Sequence, residues 1–303
     1  MALSKEDADW AFNAYEAVRL RLPQTTFPPS YRTAETLSDI AGHFDTFLLD
    51  SFGVLNIGAT AIPGAVERID ALRSMGKRVI VVTNAAGYPK HVQLAKYAKL
   101  GFEFLPRDIV SSRGTALAAI ANAPGGSWGV MADPAFGLDE LDHLDVRFLQ
   151  DDAALYDAVD GFFLLGSGIW TEARQSMLEA SLGRNPRPVF VGNPDIVAPV
   201  EDGLSRQPGH YAHRLADATG IEPQFFGKPF ANIFEQAFAR LEGGYDPART
   251  LMVGDTLHTD ILGGRAAGVK TALISDYGAL AQTDVKAAIK ASGIVPDYVL
   301  ARP

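Results

Sequence analysis

Leu48-Leu49-Asp50-Ser51-Phe52-Gly53-Val54-Leu55 is the stretch on which the fold turns. Phe47, Leu48 and Leu49 form an apolar run without polar alternation, as expected of a strand buried on both faces. The run ends on the carboxylate of Asp50, and Gly53 supplies a flexible turn just beyond it. An aspartate so placed is poised as a nucleophile or a metal ligand. A lone carboxylate after a strand is more commonly a turn or helix cap, so its meaning depends on what else the chain brings to it.

Outward from this stretch the pattern repeats. Pro63-Gly64 opens a helix whose Val66, Ile69 and Leu72 make an apolar stripe, and Gly76 ends it. Residues 78–83 read as a second strand, and 88–100 as a second helix closed by Gly101. The rhythm breaks at roughly 113–221. That region carries the Ala123-Pro124-Gly125-Gly126 break and its own apolar strands near 128–131, 159–165 and 188–192. It then resumes: Phe225-Phe226 leads to Gly227-Lys228-Pro229, a helix spans 230–241, a strand spans 250–253, a helix starts at Asp260, and strands follow at 271–274 and 298–300. The expected fold is α/β: a Rossmann-like, doubly wound parallel sheet carrying an inserted α/β unit. The expected division is an amino-terminal helical extension (1–40), a core (41–112 and 222–303) and an insertion (113–221).

In such sheets ligands bind outside the carboxyl ends of the strands. Four features sit there. Asp50 is the first. Thr83-Asn84 ends the second strand, where a hydroxyl and an amide can donate to phosphoryl oxygens. Lys228 is kept out of a helix by Pro229 and can neutralise a nucleophile or a phosphate. Asp255 and Asp260, in Gly254-Asp255-Thr256-Leu257-His258-Thr259-Asp260, suit a hard cation with oxygen ligands. Singly, each is ordinary turn, cap or surface chemistry. In this order they form one constellation.

That constellation resembles the haloacid dehalogenase (HAD) superfamily of aspartate-nucleophile hydrolases. Ala61-Ile62-Pro63-Gly64-Ala65, Val82-Thr83-Asn84, Gly227-Lys228-Pro229 and the stretch from Gly254 to Gly264 are similar to its class IIA, NagD-like branch. The resemblance covers roughly residues 44–280, and the insertion matches the branch's C2-type cap. It implies a phosphatase-like hydrolase acting on a small phosphorylated metabolite, such as a sugar phosphate. Asp50 would attack phosphorus to give an aspartyl-phosphate, and Thr83 and Asn84 would hold the phosphoryl group. Lys228 would balance charge. Mg2+ would lie among Asp50, the Phe52 carbonyl and Asp255, with Asp260 in support. Asn193-Pro194-Asp195 resembles a segment of the branch at the cap–core junction, which would put Asn193 and Asp195 near the substrate, and its composition equally suits a strand-ending turn. Branch members often form homodimers through the cap, which leaves a homodimer open.

One position departs from the phosphatase pattern Asp-x-Asp. Its second aspartate protonates the leaving group and then activates water, and here Phe52 stands in its place. Phenylalanine carries no proton, and general acid–base help is worth about 10²–10⁴-fold. The leaving group could be good enough to need no acid, or another residue could supply the proton. His258 is nearest in sequence, and His210 and His213 could come from the cap. Two other readings stay open: a metal- and phosphate-binding protein without catalysis, and cleavage of a carbon–halogen or carbon–phosphorus bond. The latter is weakened by the retained Asp255/Asp260 pair. It is weakened again by the absence of lysine from 113–221, since arginine forms no Schiff base under ordinary conditions.

Composition bounds the rest. The 303 residues are 47% hydrophobic and 21% charged, with net charge −9, so a large core is expected and no basic footprint for nucleic acid or an anionic membrane is present. There is no cysteine, which excludes disulfides, thiolate metal sites and a cysteine nucleophile. The start has no secretory pattern and no apolar run is membrane-spanning, so a cytoplasmic protein is expected. Residues 4–22 read as an amphipathic helix capped by Ser4, with Ala11, Ala14, Val18 and Leu22 on one face, and it is expected to be a packing extension. Hinges are expected near Ser111-Ser112 and Gly220. Of the aromatics Trp128, Phe136, Trp170 and Tyr211, most are expected in core packing rather than in a specificity pocket.

Overall fold

Seven parallel strands make the main sheet of the computed structural model, which describes residues 5–123, 126–200, 203–281 and 283–303. Their order is Arg32–Ala34, Tyr298–Leu300, Lys270–Ile274, Thr250–Gly254, Thr46–Leu49, Arg78–Thr83 and Ile109–Ser111. The three central strands are all but continuous in Val, Leu, Ile, Met and Phe, and their residues are almost all buried. Leu48, Ile80 and Met252 pack against Ile233 and Phe234 on one face; Leu49, Val81 and Val253 join Ile69 and Leu72 on the other. Burying each such side chain is worth about 1.5–3 kcal/mol, which is why these runs form the centre rather than an edge.

Strand order fixes where the chemistry lies. From Thr46–Leu49 the chain winds outward to Arg78–Thr83 and Ile109–Ser111, then returns on the other side through Thr250–Gly254. The winding reverses between Thr46–Leu49 and Thr250–Gly254, which opens a crevice beyond their carboxyl ends.

A second parallel sheet of five strands has the order Gln224–Phe225, Val189–Val191, Gly161–Leu164, Ser127–Met131 and Asp145–Phe148. It has its own core around Tyr156, Phe162, Leu164 and Leu178. The chain leaves the main sheet at Ser111, where Ser111 caps the helix Ser112–Ile120. Its return lies later than the expected Gly220. Gly220 only closes the helix Pro208–Thr219, whereas Gln224–Phe225 still pairs with Val189–Val191, so the return falls at Phe226-Gly227. Two further short pairs, Asn56–Ile57 with Thr60–Ala61 and Val197–Val200 with Gly203–Arg206, are antiparallel.

The amino-terminal helix runs Lys5–Ala17, followed by a 3-10 turn at Arg19–Arg21. The predicted cap, Ser4, lies outside the described residues, as do Pro124 and Gly125 of the predicted break. Arg32–Ala34, inside the stretch expected to be an extension, is an edge strand held by Tyr298–Leu300. No helix among the described residues is long and apolar enough to cross a membrane.

Candidate active site

Asp50 follows the strand Thr46–Leu49, Thr83 ends the neighbouring Arg78–Thr83, and Asp255 follows the other neighbour, Thr250–Gly254. The sheet therefore sets the three side by side. Asp260 arrives on a π-helical turn, Leu257–Ile261, which runs into the helix Leu262–Ala266. Lys228 precedes the helix Ala231–Phe238, and the Lys228–Pro229 peptide is cis.

These residues meet. Carboxylate oxygens of Asp50, Asp255 and Asp260 lie within 4.8 Å of one another. Lys228 Nζ is 2.6 Å from Asp50 Oδ1 and 2.7 Å from Asp260 Oδ1, and the lysine is only 1% exposed. Ser51 N–H also donates to Asp50 Oδ1, at 2.7 Å, so both of these donors fall on the same carboxylate oxygen. Asp255 accepts from Ala279 N–H at 2.6 Å and from the Thr256 hydroxyl at 3.1 Å. Asp260 accepts from Thr256 N–H at 3.1 Å.

Two glycines make room for Asp255. Gly53 has φ +73° and Gly278 has φ +82°, and a Cβ at either would lie 2.6 Å or 1.9 Å from the Asp255 side chain. No other residue combines that backbone with that approach.

The cluster is electrostatically unbalanced, with three carboxylates and one lysine. Burial alone would push the Lys228 ammonium down, but Asp260 and Asp50 outweigh it and hold the group above the usual lysine range. Burial and the neighbouring Asp260 and Asp50 push Asp255 well up, and burial and Asp50 push Asp260 up to about 7. Like charges this close in a desolvated site call for a counter-cation. An all-oxygen donor set of carboxylates suits a hard divalent ion. The residues thus fit Mg2+, which Asp50 and Asp255 could hold with the Phe52 backbone carbonyl, supported by Asp260.

Thr83 and Asn84 sit at the floor of a cavity of about 530 Å³, with Asp50, Phe52, Lys228 and Asp255. Thr83 Oγ1 accepts from Ala85 N–H at 3.2 Å and lies beside the buried Tyr97 hydroxyl. Asn84 differs from expectation. Its amide donates to Lys228 O and to Asp195 Oδ1, both at 2.8 Å, and its Oδ1 accepts from Lys228 N–H at 2.7 Å. With both amide hydrogens engaged, the side chain positions Lys228 and Asp195 and has none left for a phosphate.

Asn193 and Asp195 line the cavity from the second unit. Asn193 Oδ1 accepts from Asp195 N–H at 3.0 Å, and its amide donates to Gln207 Oε1 at 3.1 Å. Phe136 lines the cavity and packs edge-on against Tyr88. Trp128, Trp170 and Tyr211 are core side chains.

The histidines do not stand free at the reacting centre. His258 touches the cavity, but its ring is stacked on Tyr15 at 5.1 Å, edge-on to Phe12, and its Nε2 is 2.5 Å from Glu16 Oε1. His210 contacts Trp10 and Tyr211, and neither it nor His213 lines the cavity. His213 is buried against Phe225 at 4.8 Å, and burial pushes its ring from 6.5 down to about 4. Between those values the unfolded chain binds a proton that the folded chain refuses. The folded state keeps full stability above about pH 6.5 and loses it as pH falls toward 4. Urea unfolding of wild type should therefore lose about 2 kcal/mol more between pH 7.5 and 5 than that of His213→Phe. Equal losses would dismiss this account of His213.

The amino-terminal helix is the unexpected component. Ala8, Ala11, Phe12 and Tyr15 form one wall of the cavity. The helix bridges the two sheets' units: Glu16 and Tyr15 meet His258, while the Tyr15 hydroxyl accepts from Ile196 N–H at 3.2 Å and Trp10 packs on His210. The aromatic pair Phe12 and Tyr15, three apart on a helix, was the sequence signal, but nothing in it indicates a partner about 240 residues away.

Comparison with known proteins agrees with this geometry. The chain matches two family profiles, one described as haloacid dehalogenase-like hydrolase over residues 47–146 and one as HAD-hydrolase-like over 225–301. It is 30% identical to glycerol-3-phosphate phosphatase of Gallus gallus, covering 87% of this chain and 91% of that protein. It is 25% identical to 4-nitrophenylphosphatase of Schizosaccharomyces pombe, covering 84% and 90%. Among solved structures, a possible sugar phosphatase of Cytophaga hutchinsonii superposes with TM-score 0.78 at 26% identity, covering 89% of this chain and 98% of that one. A glycerol phosphate phosphatase of Mycobacterium tuberculosis, solved in complex with magnesium, gives 0.68 at 26% identity, covering 86% and 75%.

Proposed function

The chain belongs to the haloacid dehalogenase-like hydrolases, and from that premise we propose that it hydrolyses a small phosphate monoester through an aspartyl-phosphate on Asp50. The observation that carries this reading is the meeting of Asp50, Lys228, Asp255 and Asp260 beneath a cavity floored by Thr83. The relatives' names support it, being phosphatases of glycerol phosphate and nitrophenyl phosphate, and one related structure carries magnesium.

Each residue has a distinct part. Lys228 fixes one oxygen of Asp50, so the other is presented to phosphorus in a single orientation. Positioning of this kind, with charge stabilisation, is most of what phosphoryl transfer asks of a protein. The Thr83 hydroxyl donates to the transferring phosphoryl group, and Asn84 holds the Lys228 backbone in place. Asp50, the Phe52 carbonyl and Asp255, with Asp260 in support, would hold Mg2+, which would supply neutralisation of phosphoryl charge. Asp50 carries the covalent intermediate, which divides one difficult displacement into two.

The second unit acts as a cap. Ser167, Asn193, Ser205 and Gln207 bring hydrogen-bonding groups to the cavity, beside apolar Phe136 and Leu204. A cavity of about 530 Å³ takes a leaving group of sugar size, and this polar lining suits its hydroxyls.

Turnover of p-nitrophenyl phosphate and acetyl phosphate tests the reading. Both have good leaving groups and need no acid at position 52. Activity is expected with Mg2+, and loss of it in EDTA by at least about 10²-fold. Folded protein that is inert toward both esters with Mg2+, yet binds phosphate, would favour a non-catalytic binder.

A further inference from the structure

Phe52 leaves the site without the proton donor that a poor leaving group requires, and two carboxylates on the cavity wall, Asp133 and Asp195, are absorbed by no metal or phosphate role. Asp195 is the one tied to the nucleophile. It opens into the cavity, and its Oδ1 is tied by Asn84 Nδ2 at 2.8 Å. The same Asn84 amide grips the Lys228 backbone, and Lys228 grips Asp50. Two hydrogen bonds and a lysine thus link Asp195 to the nucleophile.

The Asp195 segment is braced on three sides. Asn193 Oδ1 accepts its backbone N–H at 3.0 Å. Gly209 lies so close beneath it that a Cβ there would stand 2.1 Å from Pro194 O and 2.6 Å from Asp195 O. The buried Tyr15 hydroxyl accepts Ile196 N–H at 3.2 Å. Such bracing is what a group needs to meet a reacting atom in one geometry. The other acidic and basic candidates are occupied: Asp133 Oδ1 caps its own turn at Ala135 N–H, and His258 is held by Glu16.

Resting on the phosphatase reading above, we propose that Asp195 is the catalytic acid and base of this enzyme, taking from the cap side the part that Phe52 cannot play, and that Tyr15 is its positioning residue. As the bond from Asp50 to phosphorus forms and the phosphorus–oxygen bond to the leaving group breaks, the Asp195 carboxyl gives its proton to the departing oxygen. Water then bonds to phosphorus, the bond to Asp50 breaks, and the Asp195 carboxylate takes the proton that water loses. Inorganic phosphate leaves, and both aspartates return to their starting forms. Burial raises the Asp195 carboxyl to about 6, against the opposing pull of the Asn84 hydrogen bond and the Lys228 charge, so the acid form is available near neutrality.

Asp195→Asn keeps an oxygen acceptor for Asn84 and removes the group that can give and take a proton. The test is the rate of phosphoenzyme formation and of turnover with 4-nitrophenyl, phenyl and benzyl phosphate, three esters of similar shape and increasingly poor leaving groups. With Mg2+ present, wild type should depend weakly on the leaving group. The variant should still release nitrophenol in a burst, then turn over slowly for want of a base, and should lose benzyl phosphate turnover by about 10²–10⁴-fold. Tyr15→Phe, which keeps the ring on His258, should give a smaller loss with the same leaving-group dependence. Equal losses on all three esters in the rate of phosphoenzyme formation, or a rise in KM alone, would make Asp195 a binding residue and overturn the proposal. A wild type inert toward all three would overturn the phosphatase reading, and this inference with it.

Discussion

Asp50→Asn is expected to abolish turnover and to leave the fold intact. An amide cannot attack phosphorus, and removing the nucleophile of a covalent mechanism costs at least about 10⁴-fold in kcat. The loss should be uniform across leaving groups, since no ester can bypass the first bond-forming step. Stability should not suffer. Asp50 is one of three crowded carboxylates around one lysine, and Lys228 keeps Asp260 at 2.7 Å when Asp50 is neutralised. Denaturation in EDTA should therefore show an unfolding midpoint no lower than wild type. Activity within tenfold of wild type would remove Asp50 from the role of nucleophile.

Lys228→Met acts on both stability and rate. The side chain is fully buried and, among the described residues, is the one cation in contact with Asp50 and Asp260. Methionine of similar length fills the space but strands two carboxylates beside Asp255. Breaking a buried ion pair by removing one partner costs about 3–5 kcal/mol. The loss should be largest in EDTA and partly restored by Mg2+, because a divalent ion supplies the missing charge. Turnover should fall even where the protein is folded, since Asp50 loses the contact that orients it. Denaturant melts with and without Mg2+ check the first part, and activity at a temperature where the variant is folded checks the second. A variant as stable as wild type in EDTA would mean that the carboxylates are held apart by something other than Lys228.

These two predictions come from residues that were legible in the sequence. Asp50, Thr83 and Asp255 each end a continuous apolar run, and such runs have only one place in an α/β protein, the centre of a parallel sheet. Once the runs are central, their ends must converge. Lys228 and Asp260 followed from the order of motifs. What the sequence did not reveal depends on contacts between distant segments. Arg32–Ala34 is a largely exposed, three-residue edge strand without alternation, and only Tyr298–Leu300 makes it a strand. Asp145–Phe148 is likewise an edge strand. His258 stood out as a surrogate acid because it lies between Asp255 and Asp260 in sequence, whereas the fold packs it against Tyr15, Phe12 and Glu16. Asn84 reads in sequence as a phosphate donor, whereas in the fold its amide is spent on Lys228 and Asp195. The amino-terminal helix carries an ordinary amphipathic pattern, and its wall of the cavity exists only because Glu16 and Tyr15 find partners on both sheets' units.

The most direct test of the covalent mechanism is acid-quenched labelling in the first turnover with 32P-labelled 4-nitrophenyl phosphate and Mg2+. The good leaving group makes breakdown of the phosphoenzyme the slow step, so it accumulates. A hydroxylamine-labile phosphoryl group on the peptide containing Asp50, absent from Asp50→Asn, is the predicted result. Label on a different residue, or steady turnover with no acid-stable or hydroxylamine-labile label on that peptide, would contradict it.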